Sequence, residues 1–146
     1  MNKIIYILLS SICLFAAGCE IDVDYSYSTK LTFENKSNHI IEINVNSSGN
    51  SREKEPWSCT IMPNEHYSRA ISNEPIWWIM KDGCVVTFDD EIAVDHRNTD
   101  IEHNLCDEDS YTVEVSGRHN TEFTYTYVFT DEDYERAVAA NTESGE

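Results

Sequence analysis

The sequence has few of the features on which enzymes and nucleic-acid-binding proteins rely. It has 5 glycines and lacks a glycine-rich phosphate loop, a G-x-S-x-G nucleophile turn and an H-E-x-x-H zinc motif. Only 10 lysines and arginines oppose 27 aspartates and glutamates, so the formal net charge is −17. Because such a charge repels phosphate backbones, we expect no nucleic-acid partner. These absences favour a binding or structural protein, and we predict no catalytic residue.

Long hydrophobic runs are also absent, and the one short run lies at the start of the chain. Lys3 precedes an apolar stretch over 4–15, and small residues follow at 16–18. That stretch is shorter than the roughly 20 residues that cross a membrane. A charged residue, a short apolar core and a small-residue cleavage site predict a signal peptide over 1–18.

Cys19 follows Ala16-Ala17-Gly18 directly, and this arrangement resembles the lipobox of bacterial lipoproteins. In a lipobox the cysteine is acylated and becomes the first mature residue, although Ala16 stands where leucine is usual. The resemblance implies lipidation of Cys19 and a membrane partner through the lipid anchor. The alternative is an ordinary signal peptide followed by an incidental cysteine.

Three further segments follow the predicted signal peptide. Residues 19–29 form the lipidated cysteine and an acidic tether, 30–140 form one domain, and 141–146 form a disordered tail. The acids at 20, 22 and 24 resemble the surface-export signal of Bacteroidota-type lipoproteins, which implies an outer-membrane lipoprotein facing the cell surface. The alternative for these acids is an ordinary solvated linker.

Apolar and polar residues alternate along most of the domain, which predicts short β-strands. The predicted strands are 31–34, 41–46, 57–61, 66–71, 76–80, 84–88, 92–96, 111–116 and 121–129. We expect a hairpin around the turn at 35–38, a second pair at 57–71, and an Asp82-Gly83 turn in a three-strand meander. The predicted fold is therefore mainly β, an antiparallel β-sandwich.

One short helix is predicted at the end of the domain, over about 131–140. Thr130 is a favourable N-cap, and acids at 131–133 suit the positive end of a helix dipole. Tyr134, Ala137 and Val138 share one face. A helix this short is stable only when it packs on the sheet.

Several phrases together resemble a known family: LTFENKSNHIIEI, CTIMPNEHY, CVVTFDDE, SYTVEV and YTYVFTDEDYERA. They are similar to small Bacteroidota-type surface lipoproteins with an immunoglobulin-like β-sandwich, over most of 30–138. The resemblance implies the fold and the location, and it carries no catalytic residue. Asn64 and Glu91 stand where turns of that family often have glycine.

Cys59, Cys84 and Cys106 remain once the predicted signal peptide, which contains Cys13, is removed and Cys19 is assigned to lipid, and no C-x-x-C motif occurs. Three cysteines outside the cytoplasm allow one disulfide. We predict Cys84–Cys106, which would join the long loop over 97–109 to a central strand. Cys59–Cys106 is the alternative, although Cys59 stands in mid-strand like a core residue.

Acidic residues gather in two segments and raise the possibility of calcium, which takes six to eight oxygen ligands. The candidate ligands are Asp89, Asp90, Glu91, Asp107 and Asp109. Their spacing does not match an EF-hand, and solvated acids are the alternative. We expect no other cofactor.

Trp77 and Trp78 belong to a predicted strand, 76–80, that is apolar on both faces. One face belongs in the core, and either the C-terminal helix or a ligand covers the other. The sequence therefore predicts a non-enzymatic, lipid-anchored binding or assembly module of the cell envelope, with a protein or glycan partner. The alternatives are a glycan-binding accessory lipoprotein and a cysteine-dependent enzyme or redox accessory.

Overall fold

A computed structural model describes residues 26–46, 56–71, 80, 82–97, 101–117 and 120–143. The strands in these ranges are β1 (Ser26–Asn35), β2 (Ile41–Val45), β3 (Trp57–Ile61), β4 (His66–Ile71), β5 (Cys84–Phe88), β6 (Ile92–Asp95), β7 (Thr112–Ser116) and β8 (Asn120–Phe129). A 3-10 turn (Glu108–Ser110) precedes β7, and the helix α1 (Asp131–Glu143) follows β8.

The strands form two four-stranded sheets that pack face to face. The first sheet has the order β4-β1-β8-β7 and the second the order β3-β2-β5-β6. This arrangement confirms the predicted β-sandwich with one C-terminal helix. All pairings are antiparallel except one: β1 and β8 run parallel, with Ser26 opposite Asn120 and Asn35 opposite Phe129.

Alternating side chains of both sheets fill the space between them. Leu31 and Phe33 of β1 face Ile41 and Ile43 of β2, and all four are fully buried. Tyr127 and Phe129 of β8 complete the centre of the core. Burial of each such side chain stabilises the fold by about 1.5–3 kcal/mol, so the alternation seen in the sequence accounts for the layered structure.

The predicted hairpin over 31–46 is wrong, because β1 and β2 belong to different sheets. Between β1 and β2 the chain passes from the first sheet to the second, and the hydrogen bonds of buried Asn35 stabilise this connection. Its Nδ2 donates to the carbonyl oxygens of His39 (2.7 Å) and Ile61 (3.0 Å), while its Oδ1 accepts from Ser37. The predicted pair at 57–71 crosses between sheets in the same way, because β3 and β4 lie in opposite layers.

Two predicted turns are confirmed where consecutive strands do pair. β5 and β6 form a hairpin, as do β7 and β8. The Asp82-Gly83 turn also forms, with Gly83 at φ 83° and its N–H donating to the carbonyl of Met80. An added Cβ at Gly83 would lie 1.7 Å from the side chain of Arg97, so both the conformation and the space require glycine.

Helix α1 begins as predicted and extends to Glu143. The N–H of Thr130 donates to Oδ2 of Asp133 at 2.7 Å, which caps the first turn. The helix packs along β6, where Asn141 donates to the carbonyl of Ala93, and Ala137 is buried. The predicted docking of this helix on strand 76–80 concerns residues outside the described ranges.

No helix in the described part of the chain has the length and apolar character needed to cross a membrane.

Candidate functional site

Strand β7 lies at the edge of its sheet, and all five of its residues are exposed. Val113 and Val115 are 41% and 61% exposed, although they share the face that carries the core. In the register of the sheet they stand opposite Tyr125 and Phe123 of β8. Among the described strands, β7 pairs with β8 on one side and with no strand on the other. The two exposed valines therefore lie beside an unpaired strand edge.

The apolar surface continues from β7 across β8 to the start of β1. Tyr27 is 47% exposed, and a cavity of about 310 Å³ is lined by Tyr27, Thr29, Phe123 and Tyr125. The ten-residue strands β1 and β8 are twice as long as the five-residue strands β2 and β5 that face them. We call the surface formed by Tyr27, Val113, Val115 and Phe123 the edge patch.

Two acidic side chains lie on the opposite face of the sheet from the edge patch, and a third lies in the turn before β7. Glu114 is exposed on β7, and Glu122 is exposed on β8. Glu108, in the turn before β7, accepts a hydrogen bond from the hydroxyl of Tyr125 at 3.1 Å. Burial, together with Glu108, raises the pKa of Tyr125, so its hydroxyl remains a donor. A ligand bound at the edge patch would therefore contact apolar side chains and lie close to negative charges.

A second cavity, of about 270 Å³, lies between α1, the loop before β7 and the core. Buried Asp133 is the main charged group on its wall. Its Oδ1 accepts from His103 at 2.7 Å and from Arg136 at 2.8 Å. Burial raises the pKa of Asp133, but the hydrogen bonds from His103, Arg136 and Thr130 outweigh it and hold the pKa at about 2. Asp133 is therefore ionised and joins the helix to the loop.

Two histidines complete the wall of this second cavity. His96 is buried, and its Nδ1 accepts from the N–H of Leu105 at 3.1 Å. Burial lowers the pKa of His96 to about 4, so its ring is neutral near pH 7. His103 stacks on Tyr127 with ring centroids 4.3 Å apart, and the Tyr127 hydroxyl donates to the His103 carbonyl. These contacts hold the loop in place.

The three cysteines are unbridged, and the structure brings two of them together. Cys84 and Cys106 hydrogen-bond each other through their thiols. Cys59 is buried on β3, and β2 separates that strand from β5. The predicted pairing of Cys84 with Cys106 and its alternative with Cys59 both stay predictions, since all three thiols are unbridged.

Two of the five acidic residues proposed as calcium ligands make other contacts. Asp89 bonds to His39 and to the N–H of Ile40, and Asp107 accepts from the N–H of Asp109. Throughout the ranges the structure describes, no three His, Cys, Asp or Glu side chains group in a way that could hold a metal ion. The predicted site of Asp89, Asp90, Glu91, Asp107 and Asp109 is therefore not assembled here.

Cys19, Trp77 and Trp78 lie outside the described residues. The lipidation site and the aromatic ligand-binding candidates therefore stay predictions. The edge patch was not predicted as a site, although alternation did place Val113 and Val115 on one face. The missing information was the strand order, since only an edge position leaves such residues uncovered.

Comparisons with known proteins add little to the geometry. No protein-family model matches the chain, and no curated protein matches it. Among solved structures, the chain is similar to the crystal structure of IP-1A from Alcaligenes faecalis, with 13% sequence identity and a TM-score of 0.28. The alignment covers 70% of this chain and 92% of that one.

Proposed function

We propose that this chain is a non-enzymatic binding or assembly module, lipid-anchored at the cell surface, that docks an extended segment of a partner protein along β7. The observation that carries the proposal is the exposed edge strand β7 with its two uncovered valines. The module would belong to the outer membrane, with the anchor on Cys19.

An edge strand offers unpaired N–H and C=O groups that a partner strand can bind, and alternate side chains then give specificity. Proteins usually protect such edges with lysine, proline or bulges. β7 reads Thr-Val-Glu-Val-Ser and has neither lysine nor proline. Glu114 is its one charged residue, and a partner strand with a basic side chain opposite it would pair with that charge.

The chemistry of the edge patch favours one kind of partner. The partner segment would place apolar side chains against Val113, Val115 and Phe123, which extends the apolar face of the sheet. Its alternate side chains would be basic, because they would share the opposite face of the sheet with Glu114 and Glu122 and the chain carries a net charge of −17. Such charge complementarity also speeds association at low salt.

The anchor is tested by fractionation of cells that produce the full chain. We expect the unaltered chain to remain with membranes after a high-salt wash, since two or more lipid chains hold a protein stably. Cys19→Ala should release the protein or block its processing. A Cys19→Ala protein that is processed and still fractionates with membranes after the high-salt wash would contradict the anchor.

The edge is tested by site-specific cross-linking in cells. A photoreactive amino acid replaces Val115 in the full chain, and Met62, which is 45% exposed in a turn, provides the matched control. We expect a discrete protein adduct from position 115 and none from position 62. Adding Val113→Lys should remove the adduct without lowering the melting temperature, because the Val113 side chain is already 41% exposed and a lysine there can extend into solvent.

Equal adducts from both positions would mean non-specific contact and would overturn the docking site. So would an adduct from position 115 that persists with Val113→Lys. Neither outcome depends on the anchor, so the two parts of the proposal fail separately.

A further inference from the structure

We infer that Cys84 and Cys106 form a redox pair that closes to a disulfide, with Cys106 as the thiol that first meets the oxidant and Cys59 left reduced. The pair does not depend on the edge patch or on a partner protein.

The two thiols are in contact but differ in access. Cys84 begins β5 and is fully buried, whereas Cys106 is only partly buried. The Cys84 thiol bonds to the Cys106 sulfur, and Cys106 Sγ in turn donates to the carbonyl of Met80 at 3.3 Å. A disulfide requires the two sulfurs to approach to about 2.05 Å and the two Cα atoms to lie within about 7 Å of each other.

A separate cavity gives access to Cys106. It has a volume of about 220 Å³ and is lined by His96, Arg97, Ile101, Asn104, Cys106 and Asp107. Arg97 on its wall is exposed and pairs with Asp95 at 2.6 Å. Cys84 is fully buried and is not among the residues that line this cavity.

The order of reactivity follows from the surroundings of each sulfur. The hydrogen bond from Cys84 lowers the pKa of Cys106, and the same bond together with burial raises the pKa of Cys84. Burial also raises the pKa of Cys59 to about 12. Because the thiolate is the nucleophile, Cys106 reacts first and Cys59 remains inert.

The oxidant is an external disulfide such as glutathione disulfide. The Cys106 thiolate attacks one sulfur of that disulfide, breaks its S–S bond and expels one thiolate, which leaves a mixed disulfide on Cys106. The Cys84 sulfur, after losing its proton to solvent, attacks the Cys106 sulfur and expels the second thiolate. Two electrons pass to the external disulfide, and the two protons from the cysteines convert its halves to thiols.

Closure would join the loop before β7 to β5. That loop already contacts the core through buried Leu105, whose carbonyl accepts from the Tyr111 hydroxyl at 2.7 Å. A bridge that closes a loop of about 20 residues constrains the unfolded chain and is expected to raise the melting temperature by on the order of 10 °C.

The test oxidises the folded full-length chain with glutathione disulfide and maps its peptides without reduction. We expect a Cys84–Cys106 peptide in the unaltered chain and also in Cys59→Ser. In Cys84→Ser we expect a stable glutathione adduct on Cys106, and in Cys106→Ser an adduct on Cys84 that forms at least about tenfold more slowly. Reductant should lower the melting temperature of oxidised Cys59→Ser but leave that of Cys84→Ser unchanged.

The map of the unaltered chain decides the question even if a variant fails to fold. Three free thiols after oxidation, or a bridge that contains Cys59, would overturn the inference. Equal adduct rates on Cys84 and Cys106 would overturn the order of reaction.

Discussion

Two adjacent aspartates in the β5–β6 turn occupy the same unusual conformation for different reasons. Asp89 and Asp90 have φ values of 52° and 63°, in the left-handed region that favours glycine. The Asp89 carboxylate accepts from His39 at 2.6 Å and from the N–H of Ile40 at 2.8 Å. These bonds offset the strain at Asp89 and lower its pKa, with the His39 contact as the largest cause.

Glycine substitution should therefore have opposite effects at the two positions. Asp90→Gly removes left-handed strain and should stabilise the fold by about 0.5 kcal/mol. Asp89→Gly relieves the same strain but loses two hydrogen bonds, so a net loss of about 1 kcal/mol is expected. Urea unfolding of both variants measures the difference. Stabilisation by Asp89→Gly would show that its carboxylate bonds contribute nothing.

The positions of these turns could be predicted from the sequence. The residue that adopts the left-handed backbone conformation in each turn could not. Asn64 stands where the resembled family often has glycine, and its φ of 65° agrees with that expectation. In the second turn the substitution was expected at Glu91, whereas the left-handed residues are Asp89 and Asp90. Aspartate and asparagine tolerate this region through local hydrogen bonds, so residue type alone does not locate it.

At the scale of elements, the start of α1 depends on one carboxylate. Asp133 accepts from the N–H and the hydroxyl of Thr130 and also bonds to His103 and Arg136. It thus joins a helix cap to a loop from another part of the chain. Its neighbour Glu132 is exposed in the same first turn.

Asp133→Ala should lower the free energy of unfolding by about 3 kcal/mol, because it removes a cap and leaves His103 and Arg136 without their charged partner. Glu132→Ala is the matched control and should cost less than about 0.5 kcal/mol, since only an exposed dipole contact is lost. Chemical denaturation gives both values. Equal losses would assign the effect to the helix dipole alone.

The helix and its N-cap could be predicted from the sequence, because a cap residue and the acids of the first turn act locally. The pairing of the strands could not be predicted. Alternation identifies a strand and its inner face, but it is the same whether the next strand joins the same sheet or the facing one. The crossing after β1 depends on buried Asn35 and its bonds to His39 and Ile61, which local patterns do not reveal.

For the whole molecule, buried His96 makes stability depend on pH. Its pKa is about 4 when folded and 6.5 in an ordinary environment, so between these values the unfolded chain binds a proton that the folded chain does not. Stability is therefore complete above pH 6.5 and falls as the pH drops towards 4, by at most about 3 kcal/mol. Asp133, with a pKa of about 2, adds a further loss below about pH 4.

Urea unfolding at several values from pH 7 to pH 4 measures this loss. His96→Gln keeps an acceptor for the Leu105 N–H but does not titrate, so its stability should vary much less over that range. A variant with the same pH dependence as the unaltered chain would remove His96 as the cause.

The parallel pairing of β1 with β8 has a consequence for how the chain folds. The pairing joins residue 26 to residue 120, and β8 is also the strand that links β1 to β7. Contacts between residues so distant in sequence close a large loop before they contribute stability, and folds dominated by them form slowly. During synthesis the first sheet lacks one of its two central strands until β8 emerges from the ribosome. The domain therefore folds late and as one unit, and a chain that ends before β8 leaves β1 without its central neighbour.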